Sequence, residues 1–335
     1  MIVWGTGPPF EGSSARRHSF LGMELGEPSE SPSERTRQLG FVGVGTMGAP
    51  MARHLVAAGH VVRVVDLDPQ AASSIVGATA VASAAEAAAG ASCVLLSLPG
   101  PADVVAAIDG PQGVLMAGVL PAHIVDLSTI SPDVARTLNE RCAEVGVGFV
   151  DAPVSGGRVK AESGELSVLA GGDDDSVSAV EPLLRCFAAQ VFHVGPAGSG
   201  TVAKLVNNQL FLAAAVLVQE AYVLGAAAGL EPADLHRIVR ASSGGPYAAL
   251  APLLLGRDFD DVIFRLDIAA KDLELAVATA AGLGVEVPAS EAALGVYRAA
   301  LADGLGTKAF HATLDHLERA AGITLPPLRR EPRQQ

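Results

Sequence analysis

Between residues 39 and 195 short apolar runs alternate with segments of helical length, and after Gly195 the alternation stops. Residues 39–44, 60–66, 92–98, 123–128 and 148–154 read as strands, with 168–170 and 191–194 as two more. Between them, 49–58 has a helical pattern and Pro69 stands in the first turn of another helix. Ser131-Pro132 supplies an N-cap and an N1 proline for a helix reaching about residue 145. Strands joined through helices need crossover connections, so the expected sheet is mostly parallel with helices on both faces. Residues 198–229 then read as one Ala- and Leu-rich helix, apolar nearly all round and expected to be buried. Further helices follow, punctuated by Gly229, Gly244-Gly245-Pro246, Gly282 and Pro288.

The expected fold is therefore α/β. An N-terminal Rossmann-type doubly wound sheet domain at 38–197 continues through a long interdomain helix into an all-α domain at 198–325. Residues 1–37 and 326–335 carry no sustained period and are expected as flexible tails. The first of them holds Trp4, Met23 as an alternative start, and no apolar stretch after a basic start. A site then belongs in the cleft between the domains, at the carboxyl ends of the strands.

Composition narrows the chemistry. Lys and Arg total 23 against 36 Asp and Glu, a formal charge of −13, which speaks against a sequence-blind grip on nucleic acid or on a membrane surface. Three cysteines (Cys93, Cys142, Cys186) form no CxxC, so neither a disulfide framework nor a zinc knuckle is expected. The longest apolar run, 210–218, is about half a membrane span. His311 and His316 are five apart and share no helix face, so no metal is expected. The expected location is the cytoplasm. Lysine is scarce, with only Lys160, Lys204, Lys271 and Lys308, so each position is informative.

Four segments carry chemistry. Gly43-Val44-Gly45-Thr46-Met47-Gly48 is a GxGxxG between a strand and a helix, and Asp66 ends the next strand 18 residues later. Gly43 permits the tight turn, Gly45 lets backbone approach a pyrophosphate, and Gly48 lets helix and strand pack closely. A carboxylate at Asp66 accepts from ribose hydroxyls and repels a 2′-phosphate, favouring NAD, while Arg63 nearby leaves NADP open. In Asp151-Ala152-Pro153-Val154-Ser155-Gly156-Gly157 a strand ends in a hydroxyl and two glycines. Those residues suit a carboxylate, and equally a plain turn. Lys204 and Asn208 lie one turn apart in apolar surroundings. A lysine in an apolar cleft has its pKa lowered towards working pH, as a proton donor to a carbonyl requires; a lysine reaching solvent along its stem fits the same spacing. Bare, Lys271-Asp272 within 264–273 is a helix-surface charge pair.

Taken together and in order, these segments resemble the β-hydroxyacid dehydrogenase family, which includes 3-hydroxyisobutyrate dehydrogenase and tartronate semialdehyde reductase, over roughly residues 38–320. The resemblance implies Lys204 as the catalytic acid/base with Asn208 orienting substrate. It implies Ser155, Gly156 and Gly157 as the carboxylate site, with Phe264 beside the substrate. Gly43, Gly45, Thr46, Met47, Gly48 and Asp66 would hold the cofactor, with Leu98-Pro99, Ser128-Thr129 and Lys271 on the nicotinamide and ribose side. It further implies a homodimer or homotetramer acting on a small carboxylate-bearing substrate. Two departures from the family pattern, Arg158 after the glycine pair and 304–308 without the usual acids, bear on substrate identity. The implied reaction is NAD-dependent interconversion of a short 3-hydroxy acid and its semialdehyde, with NADP possible. An imine reductase of the same fold is the alternative, set back by Lys204, and a non-catalytic dinucleotide-binding module is set back by Lys204 with Asn208.

Overall fold

The computed structural model describes residues 36–328, so Trp4 and Met23, with the rest of 1–35 and 329–335, lie outside the described residues. Nine strands form one sheet: β1 (Gln38–Val42), β2 (Val61–Val65), β3 (Thr79–Ala80), β4 (Cys93–Leu96), β5 (His123–Asp126), β6 (Gly148–Asp151), β7 (Val154–Ser155), β8 (Leu166–Gly171) and β9 (Ala188–Gly195). Their order is β3-β2-β1-β4-β5-β6-β8-β7, with β9 pairing β8. From β3 to β6 the pairing is parallel; β8 runs antiparallel to β6 and β7. Strand order reverses between β1 and β4, and in an open parallel sheet a ligand crevice opens at the carboxyl ends there.

The central strands are apolar without alternation because both faces are covered. Phe41, Leu95, Val125 and Val150 pack on one face with Met51 and Leu55, while Val94, Leu96, Ile124 and Phe149 pack on the other with Val104 and Ile108. The expected strand at 148–154 is two strands, since Pro153 has no N–H for the ladder. β3 carried no sequence signal, being a two-residue exposed edge strand.

In the helical region the 29-residue helix Ser199–Ala227 packs against Leu266–Gly282, Pro288–Ala302 and Thr313–Ala321, around Leu212, Val216, Tyr222, Leu273, Tyr297 and Phe310. By length and composition it could cross a membrane, with a mean hydropathy of 1.8, yet one side of it is core of this body. The expectation that it is buried all round is corrected. Val206, Leu210, Leu217 and Leu224 are exposed, because its partner helices cover one side only.

The body also outruns the expected tail boundary at 325. Leu325 and Leu328 are buried in the helical core, and the Leu328 N–H donates to the Leu255 carbonyl at 3.3 Å. At the other end Arg37, expected within a tail, donates from its backbone N–H to His60 Nδ1 at 3.2 Å and from its guanidinium to the Ala179 carbonyl at 3.0 Å.

Candidate active site

The turn after β1 is built for close approach. Gly43 has φ +87°, and a Cβ there would lie 2.4 Å from the Ser97 carbonyl oxygen. A Cβ on Gly48 would lie 1.9 Å from the Gly43 carbonyl oxygen, so turn and helix can meet only with glycine at both places. A Cβ on Gly45 would meet nothing within 4 Å, so this position faces open space. The helix Gly48–Ala57 begins at Met47 with no side-chain cap and no acid in its first turn, leaving its N-terminal N–H groups to an anion. Thr46 is exposed and Met47 half-buried beside that opening. Asp66 accepts from Val44 N–H at 2.8 Å and Asp68 N–H at 2.9 Å, fixing the carboxylate beside the glycine turn. Arg63 is turned away, donating to the Glu86 and Ala89 carbonyls at 3.2 and 2.5 Å. An open anion-binding turn with an acid beside it fits a dinucleotide whose ribose lacks a 2′-phosphate.

The next strand ends are tied to one another. Leu98 N–H donates to Ser128 Oγ at 2.9 Å, and Ser128 N–H donates to Asp126 Oδ1 at 3.0 Å; Pro99 is exposed at the rim. Lys271, from the helical region, donates to the Thr129 carbonyl at 2.8 Å and pairs with Asp272 Oδ1 at 2.8 Å. Its stem also runs past Gly100, where a Cβ would lie 3.6 Å from Lys271 Cδ. Lys271 thus spans the cleft between the sheet loops and the helix Leu266–Gly282.

Asp272, which the sequence offered only as half of a surface pair, is buried. Its Oδ2 accepts from Asn208 Nδ2 at 2.7 Å, and Asn208 Oδ1 accepts from Asn207 Nδ2 at 3.1 Å. Lys204 stands in the same cluster, its pKa lowered first by burial and then by the like charge of Lys271, with Asp272 opposing. A lysine whose pKa is lowered this way gives up its proton more readily than one in water, which suits an acid/base group.

Asp151 connects this helix to the strand end that leads to Ser155. Its carboxylate accepts from Gly198 N–H at 2.7 Å and Thr201 N–H at 2.8 Å, and from Thr201 Oγ1 at 3.0 Å, capping the helix one turn before Lys204. A Cβ on Gly200 would lie 2.2 Å from the Leu169 carbonyl oxygen, so only glycine lets the helix seat on the sheet. Three residues after Asp151 comes β7, ending at half-buried Ser155 and followed by Gly156 and Gly157, both with positive φ and both exposed. Phe264, half-buried, packs on Phe310 with ring centroids 5.9 Å apart, in the segment leading to Lys271. The structure therefore joins Lys204, Asn208 and Lys271 through Asp272, and joins Lys271 to the Leu98–Ser128–Thr129 loops. Ser155–Gly157 and Phe264 are joined to that cluster by no hydrogen bond or ion pair among the described residues; Ser155–Gly157 follow Asp151, which caps the Lys204 helix, and Phe264 precedes the helix of Lys271. Asp126, Asp151 and Asp272 carried only one signal, an acid at the end of an apolar strand or on an apolar helix.

Asp126 and Asp151 are adjacent strand ends, and burial pushes both carboxyls up to about 6 from 3.8. Asp126 Oδ2 is buried without a hydrogen-bond partner. Because the folded pKa lies above the ordinary value, the stability linked to protonation is present below about pH 4 and is lost as pH rises through about 6. Two pKa units correspond to ~3 kcal/mol. In Asp126→Asn, an acceptor for Ser128 N–H remains and the charge is gone. Thermal melts of both proteins should show the mutant-minus-wild-type Tm difference becoming more positive from pH 5 to pH 8. A difference independent of pH would refute the buried-charge reading.

Residues 38–195 match a family model described as the NAD-binding domain of 6-phosphogluconate dehydrogenase, and residues 198–317 match one described as the NAD-binding of NADP-dependent 3-hydroxyisobutyrate dehydrogenase. An NAD-dependent L-serine dehydrogenase of Pseudomonas aeruginosa is 37% identical over 82% of this chain and 95% of that protein. A 2-(hydroxymethyl)glutarate dehydrogenase of Eubacterium barkeri is 33% identical over 87% of this chain and 98% of that protein. Among solved structures, Mycobacterium tuberculosis 3-hydroxyisobutyrate dehydrogenase with L-serine superposes with a TM-score of 0.76 at 32% identity, covering 84% of this chain and 99% of that one.

Proposed function

This chain belongs to the β-hydroxyacid dehydrogenase family, and we propose that it interconverts a short 3-hydroxy acid and its semialdehyde with NAD, NADP being the poorer cofactor. The observation that carries the reading is the cluster of Lys204, Asn208, Asp272 and Lys271, tied by Lys271 to the loops beside the glycine turn. A nicotinamide dinucleotide, when bound, supplies the two-electron hydride acceptor or donor. Lys204, as the neutral amine, takes the hydroxyl proton as the hydroxyl carbon gives up its hydride, and returns it in the reverse direction. Asn208, held through Asp272, orients the reacting oxygen. Ser155 Oγ and the backbone of Gly156 and Gly157 hold the carboxylate, so binding energy away from the reacting carbon fixes its position. Phe264 closes the apolar side of the substrate. Lys204 weighs against an imine reductase, and Lys204 with Asn208 against a non-catalytic module.

Initial rates with NAD and NADP over a panel of 3-hydroxy acids test this reading. NAD should give the higher kcat/KM, and Asp66→Ser should narrow or reverse the preference, because Asp66 meets a 2′-phosphate as a like charge. Faster turnover with NADP in the wild type would defeat the cofactor assignment, and no turnover of any 3-hydroxy acid would defeat the reaction. In this reading the chain works in the cytoplasm as a homodimer or homotetramer. Leu210, Leu217 and Leu224, seven apart on the long helix, form an apolar stripe that a single chain leaves uncovered. Sedimentation velocity at micromolar concentration should give at least a dimer, and a monomer would remove this part.

A further inference from the structure

In a chain of formal charge −13 with four lysines, three stand at the candidate cleft. Lys204 and Lys271 flank Asp272, and the fourth, Lys308, is paired with Asp260. The remaining one, Lys160, has no part in the reaction described above. It lies in the helix Gly157–Ser163, whose side chains lean back towards the N-terminus. Its stem folds over Gly156: a Cβ on Gly156 would lie 2.7 Å from Lys160 Cδ and 2.9 Å from Lys160 Cβ. Gly156, at φ +131°, is thus the residue that leaves room for the Lys160 stem beside the Ser155–Gly157 segment. The Lys160 side chain is exposed, and among the described residues no carboxylate lies within ion-pair distance of it.

Two residues earlier, Arg158 is the second unused cation. Its Nη2 lies 3.5 Å from Asp261 Oδ1, across the cleft in the segment leading to Phe264, and its Nε lies 3.8 Å from Glu162 Oε1. Both contacts are long and partly solvated, and Nε is buried without a hydrogen-bond partner. Such exposed pairs hold a guanidinium weakly, so an incoming carboxylate competes readily for it.

We propose that Arg158 and Lys160 are specificity-determining residues that bind a second carboxylate, so that the preferred substrate is a 3-hydroxy acid with another carboxylate at its far end. The proposal rests on the dehydrogenase reading above and adds the substrate class. The Ser155–Gly157 segment takes the carboxylate two carbons from the hydroxyl, and the second carboxylate lies over Gly156 between the Lys160 ammonium and the Arg158 guanidinium, displacing Asp261. One relative is a dehydrogenase of 2-(hydroxymethyl)glutarate, whose name describes such a dicarboxylate.

The test compares NAD-dependent oxidation of 2-(hydroxymethyl)glutarate with that of the monocarboxylate 3-hydroxyisobutyrate, in the wild type, Lys160→Met and Arg158→Gln. The wild type should favour the dicarboxylate in kcat/KM by about tenfold or more, the scale of one charge-assisted contact. Each variant should lose about that factor with the dicarboxylate and stay within roughly twofold with the monocarboxylate, the loss lying mainly in KM. Raising the salt concentration should shrink the wild-type preference. Oxidation of 3-hydroxyisobutyrate with no preference for the dicarboxylate, or equal losses on both substrates in the variants, overturns the proposal and leaves the dehydrogenase reading standing. No oxidation of any 3-hydroxy acid overturns that reading and this proposal with it.

Discussion

Lys204→Ala lowers turnover by roughly a hundredfold to ten-thousandfold, the range for losing a general acid–base group, and leaves NAD affinity nearly intact. The two effects separate because the glycine turn and Asp66 belong to the sheet region, whereas Lys204 rides on the helix Ser199–Ala227. Burial and the like charge of Lys271 lower the Lys204 pKa below the ordinary lysine range, so one limb of the wild-type pH profile should report its titration below that range. That limb disappears in the alanine variant. Lys204→Arg does not restore turnover, since a guanidinium keeps its proton across the accessible pH range. Steady-state turnover across pH, with a fluorescence titration of NADH, measures all three. A variant that keeps a third or more of wild-type turnover with an unchanged pH profile would refute the proton-transfer role.

Asp272→Asn produces the second large effect. The carboxylate is buried, pairs with Lys271, holds Asn208 and acts on Lys204, so its loss leaves the Lys271 ammonium without its counter-charge. Removing one partner from a buried ion pair costs about 3–5 kcal/mol, and the melting temperature should fall clearly at neutral pH. Asp272 is also the group that opposes the lowering of the Lys204 pKa. Its neutralisation therefore moves the lysine limb of the pH profile to lower pH, which a purely structural role would not do. Turnover falls as well, because a neutral carboxamide holds Asn208 Nδ2 less firmly than the charged carboxylate does. An unshifted limb in a folded Asp272→Asn protein would separate Asp272 from the chemistry of Lys204.

Part of this arrangement is local and could be read from the chain. Alternating apolar runs and helical segments specify a mainly parallel sheet because a parallel pair requires a crossover. Gly43, Gly45 and Gly48 between a strand and a helix, with Asp66 at the next strand end, are legible as an anion-binding turn, since the positive φ of Gly43 and the closeness of Gly48 to the Gly43 carbonyl are local constraints. Lys204 and Asn208 share a face by helical period alone.

What the tertiary structure decided are the relations between distant segments. Chain order places Asp272 next to Lys271, but its buried partner is Asn208, 64 residues earlier on another helix. Asp151 ends an apolar strand in the sequence, and only the docked helix at Gly198–Thr201 makes it a cap. The antiparallel entry of β8 beside β6, the exposed stripe on the long helix and the packing of Leu328 into the core likewise depend on which surfaces meet. Residue spacing encodes which side chains share a face. Whether that face is wet, paired or buried depends on the element that covers it, and here that element lies tens of residues away along the chain.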